Sequence, residues 1–366
     1  MLDIQRGSRL RVASLEAASE QCASTKKRIE APQLFGKGPK FSPSHWVATV
    51  NACGKGRQWQ RALSLLKDVV DARLQADVIM YNTLISACGK GEEWQHALSL
   101  LFEIREAELE PDVVSYNAGI SACEKCGEWL QALALLNKLW VAKLHPSAIS
   151  YNAGISACEK GGQWQHALAL FGEMRRARLG PDVFSYSAGI TACGQGEEWK
   201  QALSLLGEMR EARLEPNVTF SYNAAISACV KGEQWMQALT LLSEMREARL
   251  TPDVISYGAG ISACEKGEKW QRVFSLLSEM VDAKLLPDVF CYSAGVSACE
   301  KTEQWQQALS LLFQIHEARL KPDVVSYNAG ISACQKAGQW QEALCLLFDM
   351  WEAKPQPDVI SATTPG

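Results

Sequence analysis

A segment of 35 residues recurs along most of the chain, and this periodicity constrains the fold more than any other feature of the sequence. Tryptophans recur at this spacing from Trp59 to Trp199 and, after an insertion of one residue, from Trp235 to Trp340. Nine of the 13 cysteines keep the same spacing. A fixed period of this length predicts one elongated solenoid, in which each repeat packs only against its neighbours.

Each repeat carries two stripes of apolar residues at helical spacing, as the copy at 113–147 shows. Tyr116, Ile120 and Cys123 lie on one face of a first helix, because they are four and three residues apart. A second helical stripe follows Gly127 and consists of Trp129, Ala132, Leu133 and Leu136. Pro146 then prevents the helix from continuing. We therefore predict an all-α fold in which each repeat is a pair of short antiparallel helices.

Nine copies follow one another when each is divided before the segment that resembles Val-Val-Ser-Tyr-Asn, and we number their positions from 1 to 35. The fifth copy has 36 residues because Val218 is inserted. The first copy is degenerate, as is usual for a repeat that caps an array, and residues 359–366 start a tenth copy that is either truncated or frayed. The nine copies are 43–77, 78–112, 113–147, 148–182, 183–218, 219–253, 254–288, 289–323 and 324–358.

Residues 1–42 do not follow the period and carry eight Lys and Arg against four Asp and Glu. A basic, acid-poor leader is typical of an organelle transit peptide, although Asp3 and Glu16 weaken that interpretation. The alternative is a disordered tail.

Residue types used in catalysis and metal binding occur without the spacing that such sites need. Cysteines at position 11 would lie roughly 9–10 Å apart in neighbouring repeats, beyond the ~7 Å limit for a disulfide, so we expect small buried side chains in a reducing compartment. Cys123 and Cys126 form a lone Cys-x-x-Cys pair, and a zinc site would need a second pair. We expect no enzymatic activity, no cofactor or metal, and no small-molecule substrate. No apolar run is long enough to predict a membrane span.

The repeats resemble the pentatricopeptide repeat family over residues 43–358. The resemblance rests on the period, Tyr-Asn at the start of the first helix, Lys-x-Gly at its end, Ala-Leu-x-Leu in the second helix and Pro-Asp before the next repeat. The tetratricopeptide repeat is similar but has a period of about 34 residues. The resemblance implies an α-solenoid of stacked antiparallel helix pairs that forms a right-handed superhelix, without the catalytic extension that some family members carry.

The resemblance also implies sequence-selective binding of single-stranded RNA at one nucleotide per repeat, a mode known for helical repeats. Such a protein would act in organellar RNA processing, stability or translation, by occupying the RNA or by recruiting other RNA-processing proteins. The family's usual location favours a mitochondrion or chloroplast, with the cytoplasm or nucleus as the alternative. A protein-interaction scaffold that uses the same concave groove is the second function that the sequence allows.

In the family, the residues at position 5 and at the closing position flank one base and recognise its edge. An Asn amide donates and accepts hydrogen bonds, whereas Asp only accepts; capping by Asn and a turn at Pro-Asp are the alternative explanations. Position 5 is apolar in two copies, at Val47 and Gly258. The family's pairing rules predict the target 5′-U-C-U-A-U-N-G-U-3′ for repeats two to nine. The expected base-recognition pairs are Asn82 with Asp112, Asn117 with Ser147, Asn152 with Asp182, Ser187 with Asn217, Asn223 with Asp253, Ser293 with Asp323 and Asn328 with Asp358.

Two further positions recur once per repeat. In the family, the position-2 side chain inserts between successive bases, and packing between repeats is the alternative for the Ile and Val members. A lysine at position 13 suits an RNA phosphate, and it equally suits the negative end of a helix. Position 2 carries Ile79, Val114, Ile149, Phe184, Phe220, Ile255, Phe290 and Val325. Position 13 carries Lys90, Lys125, Lys160, Lys231, Lys266, Lys301 and Lys336, with Lys55 in the degenerate copy and Gln195 as the one interruption.

The charge of the repeat region argues against a strongly basic RNA-binding surface. Residues 43–366 contain 29 Lys and Arg against 37 Asp and Glu. We expect the acidic excess, for example Glu208 and Glu244, to lie on second helices that face away from the groove. RNA affinity should therefore be modest and sensitive to salt.

Overall fold

The computed structural model describes residues 43–71, 76–214 and 218–353, and these residues form 18 α-helices and no β-strand. The leader at 1–42, the start of a tenth copy at 359–366, Asn217 and Asp358 lie outside the described residues. The helices are α1 (Pro43–Lys55), α2 (Trp59–Asp71), α3 (Val78–Lys90), α4 (Trp94–Glu106), α5 (Val113–Cys126), α6 (Trp129–Val141), α7 (Ala148–Lys160), α8 (Trp164–Arg176), α9 (Val183–Gln195), α10 (Trp199–Glu211), α11 (Val218–Lys231), α12 (Trp235–Glu247), α13 (Val254–Lys266), α14 (Trp270–Asp282), α15 (Val289–Lys301), α16 (Trp305–Glu317), α17 (Val324–Lys336) and α18 (Trp340–Ala353).

Each repeat contributes one odd-numbered first helix and one even-numbered second helix, which confirms the predicted all-α helical-repeat solenoid. The chain divides into two compact units, residues 1–161 and 162–366. Within each unit, consecutive first helices pack side by side. A second helix also packs against the first helix of its own repeat and against that of the next repeat where both lie in the same unit.

The closing residue of a repeat caps the first helix of the following repeat. Asp112, for example, accepts a hydrogen bond from the backbone N–H of Ser115 at 2.8 Å, and the Ser115 hydroxyl accepts one from the backbone N–H of Asp112. This reciprocal capping box satisfies N–H groups that the first turn of a helix leaves unpaired. The capping residues observed are Asp77, Asp112, Ser147, Asp182, Asp253, Asp288 and Asp323.

The apolar stripes form a continuous core inside each unit. Tyr116, Ile120 and Cys123 of α5 are buried, as the sequence predicts. The twelve cysteines among the described residues are free. Burial raises the pKa of the Cys123 thiol to about 12, so the position-11 cysteines behave as small apolar side chains rather than as nucleophiles.

Glycines allow some helices to approach one another closely. A Cβ on Gly89 at position 12 of α3 would lie 2.9 Å from the Cβ of Ala122 on α5. A Cβ on Gly330 of α17 would lie 2.6 Å from a methyl carbon of Leu312. Both distances are shorter than a normal carbon–carbon contact, so the helical glycines serve packing between elements.

The inserted residue of the fifth copy lies inside a helix. We assigned Val218 to the end of copy 183–218, whereas in the structure it is the first residue of α11. Helix α11 therefore has 14 residues, and most other first helices have 13.

Two classes of site are absent from the part of the chain that the structure describes. None of its helices combines the length and apolar character needed to cross a bilayer. In the same residues, no group of three or more His, Cys, Asp or Glu side chains is arranged to hold a metal ion.

Candidate nucleic-acid interface

The structure brings the position-5 residue and the closing residue of a repeat within hydrogen-bond distance of each other. The position-5 residue lies in the second turn of a first helix, and the closing residue lies 30 residues later, at the cap of the next first helix. In the Asn pairs, the amide nitrogen donates to the closing residue. The pairs and their distances are Asn82–Asp112 (3.2 Å), Asn117–Ser147 (3.4 Å), Asn223–Asp253 (3.1 Å) and Ser293–Asp323 (3.2 Å).

Other predicted pairs are placed only in part by the described residues. Asn152 lies on α7 of the first unit, and Asp182 caps α9 of the second. Ser187 and Asn328 lie on α9 and α17, while their closing residues lie outside the described part of the chain. Position 5 itself is not a cap, which corrects the alternative that explains its Asn residues as helix N-caps.

In the Asn117 and Asn223 pairs, a buried serine of the following repeat also bonds to the position-5 amide. Ser256, at position 3 of the following repeat, donates its hydroxyl to the amide oxygen of Asn223 at 2.6 Å. Ser150 does the same for Asn117 at 2.5 Å. The sequence prediction did not include these serines. The sequence signal for these serines is that they recur at position 3 of each repeat that follows a repeat with a polar position 5.

The position-5 side chains are only partly accessible. Asn223 and Ser187 are 7% exposed and Ser293 is 6% exposed. Asp112 and Asp323 are exposed and Asp253 is half-buried. In these three pairs the closing residue is therefore more accessible than the position-5 residue, whereas Asn117 and Ser147 are both half-buried.

Hydrogen bonds favour the ionised form of two closing carboxylates, those of Asp112 and Asp253. Partial burial alone would raise the pKa of the Asp112 carboxyl, but hydrogen bonds from the backbone and hydroxyl of Ser115 and from the Asn82 amide lower the pKa overall. The pKa of Asp253 is lowered by equivalent bonds from Ser256 and Asn223, against the opposing effect of burial. These closing residues are thus hydrogen-bond acceptors at neutral pH.

The position-2 side chains project into solvent. Val114 and Val325 are the least exposed, at 58%, and Phe184 is the most exposed, at 76%. This excludes burial between repeats, which was the alternative for the Ile and Val members. The complete set is Ile79, Val114, Ile149, Phe184, Phe220, Ile255, Phe290 and Val325.

The position-13 lysines end the first helices, and in the first unit they gather around one open cavity of about 300 Å³. Lys55, Lys90, Lys125 and Lys160 line this cavity together with Gly54, Arg57 and Glu92. Burial lowers the pKa of the Lys125 ammonium, and the charges of Lys90 and Lys160 lower it further against the opposing effect of Glu124. The cavity is therefore a concentrated positive surface.

Some of these lysines are neutralised by a glutamate at position 12 of the preceding repeat. Lys160 contacts Glu124 at 2.6 Å, Lys301 contacts Glu265 at 3.0 Å and Lys336 contacts Glu300 at 3.2 Å. Position 12 is instead Gly54 or Gly89 before Lys90 and Lys125, and Val230 before Lys266. The strength of the positive row therefore differs from repeat to repeat.

The second helices of the second unit carry their own ion pairs. Arg175 contacts Glu208 and Arg210 contacts Glu244, each at 2.7 Å, and Arg246 contacts Glu279. These contacts join the second helices of neighbouring repeats. Glutamates of the second helices are therefore partly paired with arginines rather than with the position-13 lysines.

Sequence models of one family match most of the repeat region. The pentatricopeptide repeat domain matches residues 64–125, 190–232 and 275–337, the PPR repeat family matches 146–195, and the PPR repeat matches 114–142, 220–250 and 325–354. The chain belongs to the pentatricopeptide repeat family.

Solved structures of other pentatricopeptide repeat proteins are similar to this chain, and one of them, with a TM-score above 0.5, shares its fold. The crystal structure of PPR10 from maize superimposes with a TM-score of 0.54 at 20% identity and covers 90% of this chain. PPR10 in complex with an 18-nt psaJ RNA element matches with a TM-score of 0.46 at 22% identity over 91% of this chain. The PPR domain of Arabidopsis thaliana protein-only RNase P 1 in complex with tRNA covers 49% of this chain and 95% of its own, with a TM-score of 0.43 at 14% identity.

The pentatricopeptide chain described here spans about half the length of the PPR10 structures, 56% and 52%. No curated protein matches it.

Proposed function

We propose that this pentatricopeptide repeat protein binds single-stranded RNA selectively, at one nucleotide per repeat, and acts by occupancy rather than by catalysis. Its roles would be in organellar RNA processing, stability or translation, in a mitochondrion or chloroplast. Other RNA-processing proteins would be partners of the bound complex.

The observation that carries the proposal is the exposure of one large apolar side chain at position 2 of every described repeat from the second to the ninth, at 58–76%. A row of exposed apolar residues, one per repeat, suits an apolar or aromatic partner of matching periodicity. The faces of successive RNA bases are such a partner, because every base stacks on an aromatic or aliphatic surface.

The neighbouring polar groups fit the same ligand. The pairs formed by position 5 and the closing residue offer an amide or hydroxyl and a carboxylate, which can bond to the edge of a base. The position-13 lysines suit the phosphates of the strand. A peptide ligand has no charge at each residue, so the lysine row favours RNA over a protein-interaction scaffold.

The experiment compares two exposed phenylalanines. Phe184 lies at position 2 of α9 and is 76% exposed, whereas Phe313 lies on the second helix α16 and is 63% exposed. Because stacking on one base is worth ~1–3 kcal/mol, we expect Phe184→Ala to weaken binding of the RNA 5′-U-C-U-A-U-N-G-U-3′ by about 5- to 150-fold. Phe313→Ala, the matched control, should leave the Kd unchanged.

Fluorescence anisotropy with labelled RNA measures both variants, and circular dichroism confirms their helix content. Equal affinity of Phe184→Ala and the parent protein would contradict stacking at position 2. Absence of RNA binding by the parent protein at low salt would refute the RNA function and favour the scaffold.

A further inference from the structure

The buried serine at position 3 of a repeat bonds to the position-5 residue of the repeat before it. Ser150 donates to the Asn117 amide oxygen at 2.5 Å and Ser256 to that of Asn223 at 2.6 Å. Where position 5 is Ser, the two hydroxyls are 2.6 Å apart, in Ser187–Ser221 and in Ser293–Ser326. The position-3 serines have no solvent exposure and are Ser115, Ser150, Ser185, Ser221, Ser256 and Ser326.

This contact fixes the orientation of the amide. The Asn223 nitrogen donates to Asp253, which only accepts, while the Asn223 oxygen accepts from Ser256. An amide held in this way cannot exchange its oxygen and nitrogen by rotation without losing both bonds. One N–H and one lone pair remain, in a defined direction, for the edge of a base.

Helix capping alone does not explain the serine. In two repeats position 3 has no hydroxyl, yet the cap persists: Asp77 accepts from the Met80 backbone N–H at 2.8 Å, and Asp288 accepts from that of Cys291 at 2.9 Å. The capping aspartate therefore accepts the position-3 backbone N–H whether or not position 3 carries a hydroxyl.

Serine occurs at position 3 where position 5 of the preceding repeat is polar. Met80 follows the repeat in which position 5 is Val47, and Cys291 follows the repeat in which it is Gly258. In the other seven repeats position 5 is Asn or Ser, and Ser stands at position 3 of the segment that follows. Within this chain, a polar residue at position 5 and a serine at the next position 3 are therefore either both present or both absent.

The serine has one proton and two acceptors within reach: the Ser256 hydroxyl lies 2.6 Å from the Asn223 amide oxygen and 2.9 Å from an Asp253 carboxylate oxygen. In the repeat of Asn82, the Ser115 hydroxyl donates to Asp112 at 2.9 Å. The Asn82 amide oxygen is then buried without a hydrogen-bond partner among the described residues. Asn82 therefore lacks the serine bond that Asn117 and Asn223 accept.

We propose that the position-3 serine is a positioning residue for base recognition by the preceding repeat. In repeat 254–288, Gly258 replaces the polar position-5 residue and Cys291 replaces the serine of the next repeat, so this repeat selects no base and is called silent. The inference rests on the proposed RNA function. On this inference, each recognition site contains a third, buried residue. Substitutions that supply the two missing residues should make repeat 254–288 selective for a base.

Restoring the missing pair provides the test. A Cβ on Gly258 would lie 3.7 Å from the Cys291 sulfur, an ordinary contact, so a side chain fits. We expect Gly258→Asn alone to give about a threefold preference for U at the sixth base of 5′-U-C-U-A-U-N-G-U-3′, since the amide is not held. Gly258→Asn with Cys291→Ser should give about a tenfold preference, the difference being about one hydrogen bond.

Removal of a serine is the complementary arm. Ser256→Ala should reduce discrimination at the fifth base about threefold or more, leave discrimination at the second base unchanged, and retain helix content by circular dichroism. Binding assays with the four bases at each site measure these preferences.

The outcomes separate the two proposals. Equal preference in the single and double variants, with normal discrimination by the parent protein, would overturn the role of the serine alone. Undiminished discrimination at the fifth base by Ser256→Ala would do the same. A parent protein with no base preference at any repeat would overturn the RNA function and this inference with it.

Discussion

At the scale of single residues, one side chain has two roles at the boundary between repeats. Ser147 closes one repeat next to Asn117 and caps helix α7 of the following repeat. Asp253 does the same for Asn223 and α13. Capping and base recognition are therefore compatible uses of the closing position. Its residue type is limited to good capping residues, among which Asp, Ser and Asn still differ in hydrogen bonding.

This double role makes Ser147→Asp a clean test of base selectivity. Asp caps other first helices of this chain, such as α5 and α9, so the fold should be preserved. The variant would place a carboxylate beside Asn117, as in the Asn–Asp pairs expected to bind U. We therefore expect the preference at the second base to change from C to U by roughly tenfold.

Isothermal titration with RNAs that differ only at the second base measures this change. Ser147→Thr, which keeps a hydroxyl and a capping side chain, is the control and should keep the preference for C. An unchanged preference for C in Ser147→Asp would count against recognition by this pair.

At the scale of helices, the residue at position 12 decides both spacing and charge. Gly89 allows α3 and α5 to approach closely and leaves Lys125 without an acidic partner at this position. Glu124 and Glu300 instead form ion pairs with Lys160 and Lys336 of the next repeat. If the lysines bind phosphate as proposed, these glutamates would compete for them and weaken the binding of those repeats to an RNA backbone.

The double variant Glu124→Gln, Glu300→Gln should therefore strengthen RNA binding and make it more dependent on salt. Each lysine freed for one phosphate adds ~0.7 to the slope of log K against log salt for a single strand, so we expect a slope steeper by about 1.4. Glutamine still accepts from the Ser156 and Ser332 hydroxyls that now bond to these glutamates.

The matched control removes two equal charges from the second helices. Glu208→Gln with Glu244→Gln breaks the ion pairs with Arg175 and Arg210 and should leave the slope nearly unchanged. Equal slopes in the two double variants would show that position 12 has no special influence on phosphate binding.

The helices themselves were predictable from the sequence, whereas the contacts between repeats were not. Apolar spacing and the tryptophan period indicate both helices of a repeat, and the observed first helix Val113–Cys126 contains the predicted face of Tyr116, Ile120 and Cys123. The Lys160–Glu124 pair joins residues 36 apart, and its formation depends on the distance and rotation between neighbouring helices. Period alone does not specify either quantity.

The candidate site was also predictable from the sequence only in part. The motif predicted that position 5 and the closing residue act together, and four described pairs are within hydrogen-bond distance. The resemblance left two alternatives for position 2, and solvent exposure excludes burial between repeats. The motif did not reveal Ser150 or Ser256, because a buried serine near a helix start is most simply explained as part of a cap.

At the scale of the whole molecule, selectivity must come from many weak contacts distributed along the repeats. The repeat region is acidic overall, with 29 basic against 37 acidic residues, so electrostatic attraction alone is not expected to give tight binding. In the proposed complex, stacking, base-edge bonds and a partly neutralised lysine row would each contribute little per nucleotide. Their sum over successive repeats would distinguish a matching RNA from a mismatched one.

The central claim is tested most directly by the affinity of the full chain for 5′-U-C-U-A-U-N-G-U-3′ compared with a scrambled RNA of the same composition, at low salt. We predict at least about a tenfold lower Kd for the matching RNA, since each mismatched base costs on the order of 1 kcal/mol or more. Equal affinity for the two RNAs would contradict recognition of one base per repeat.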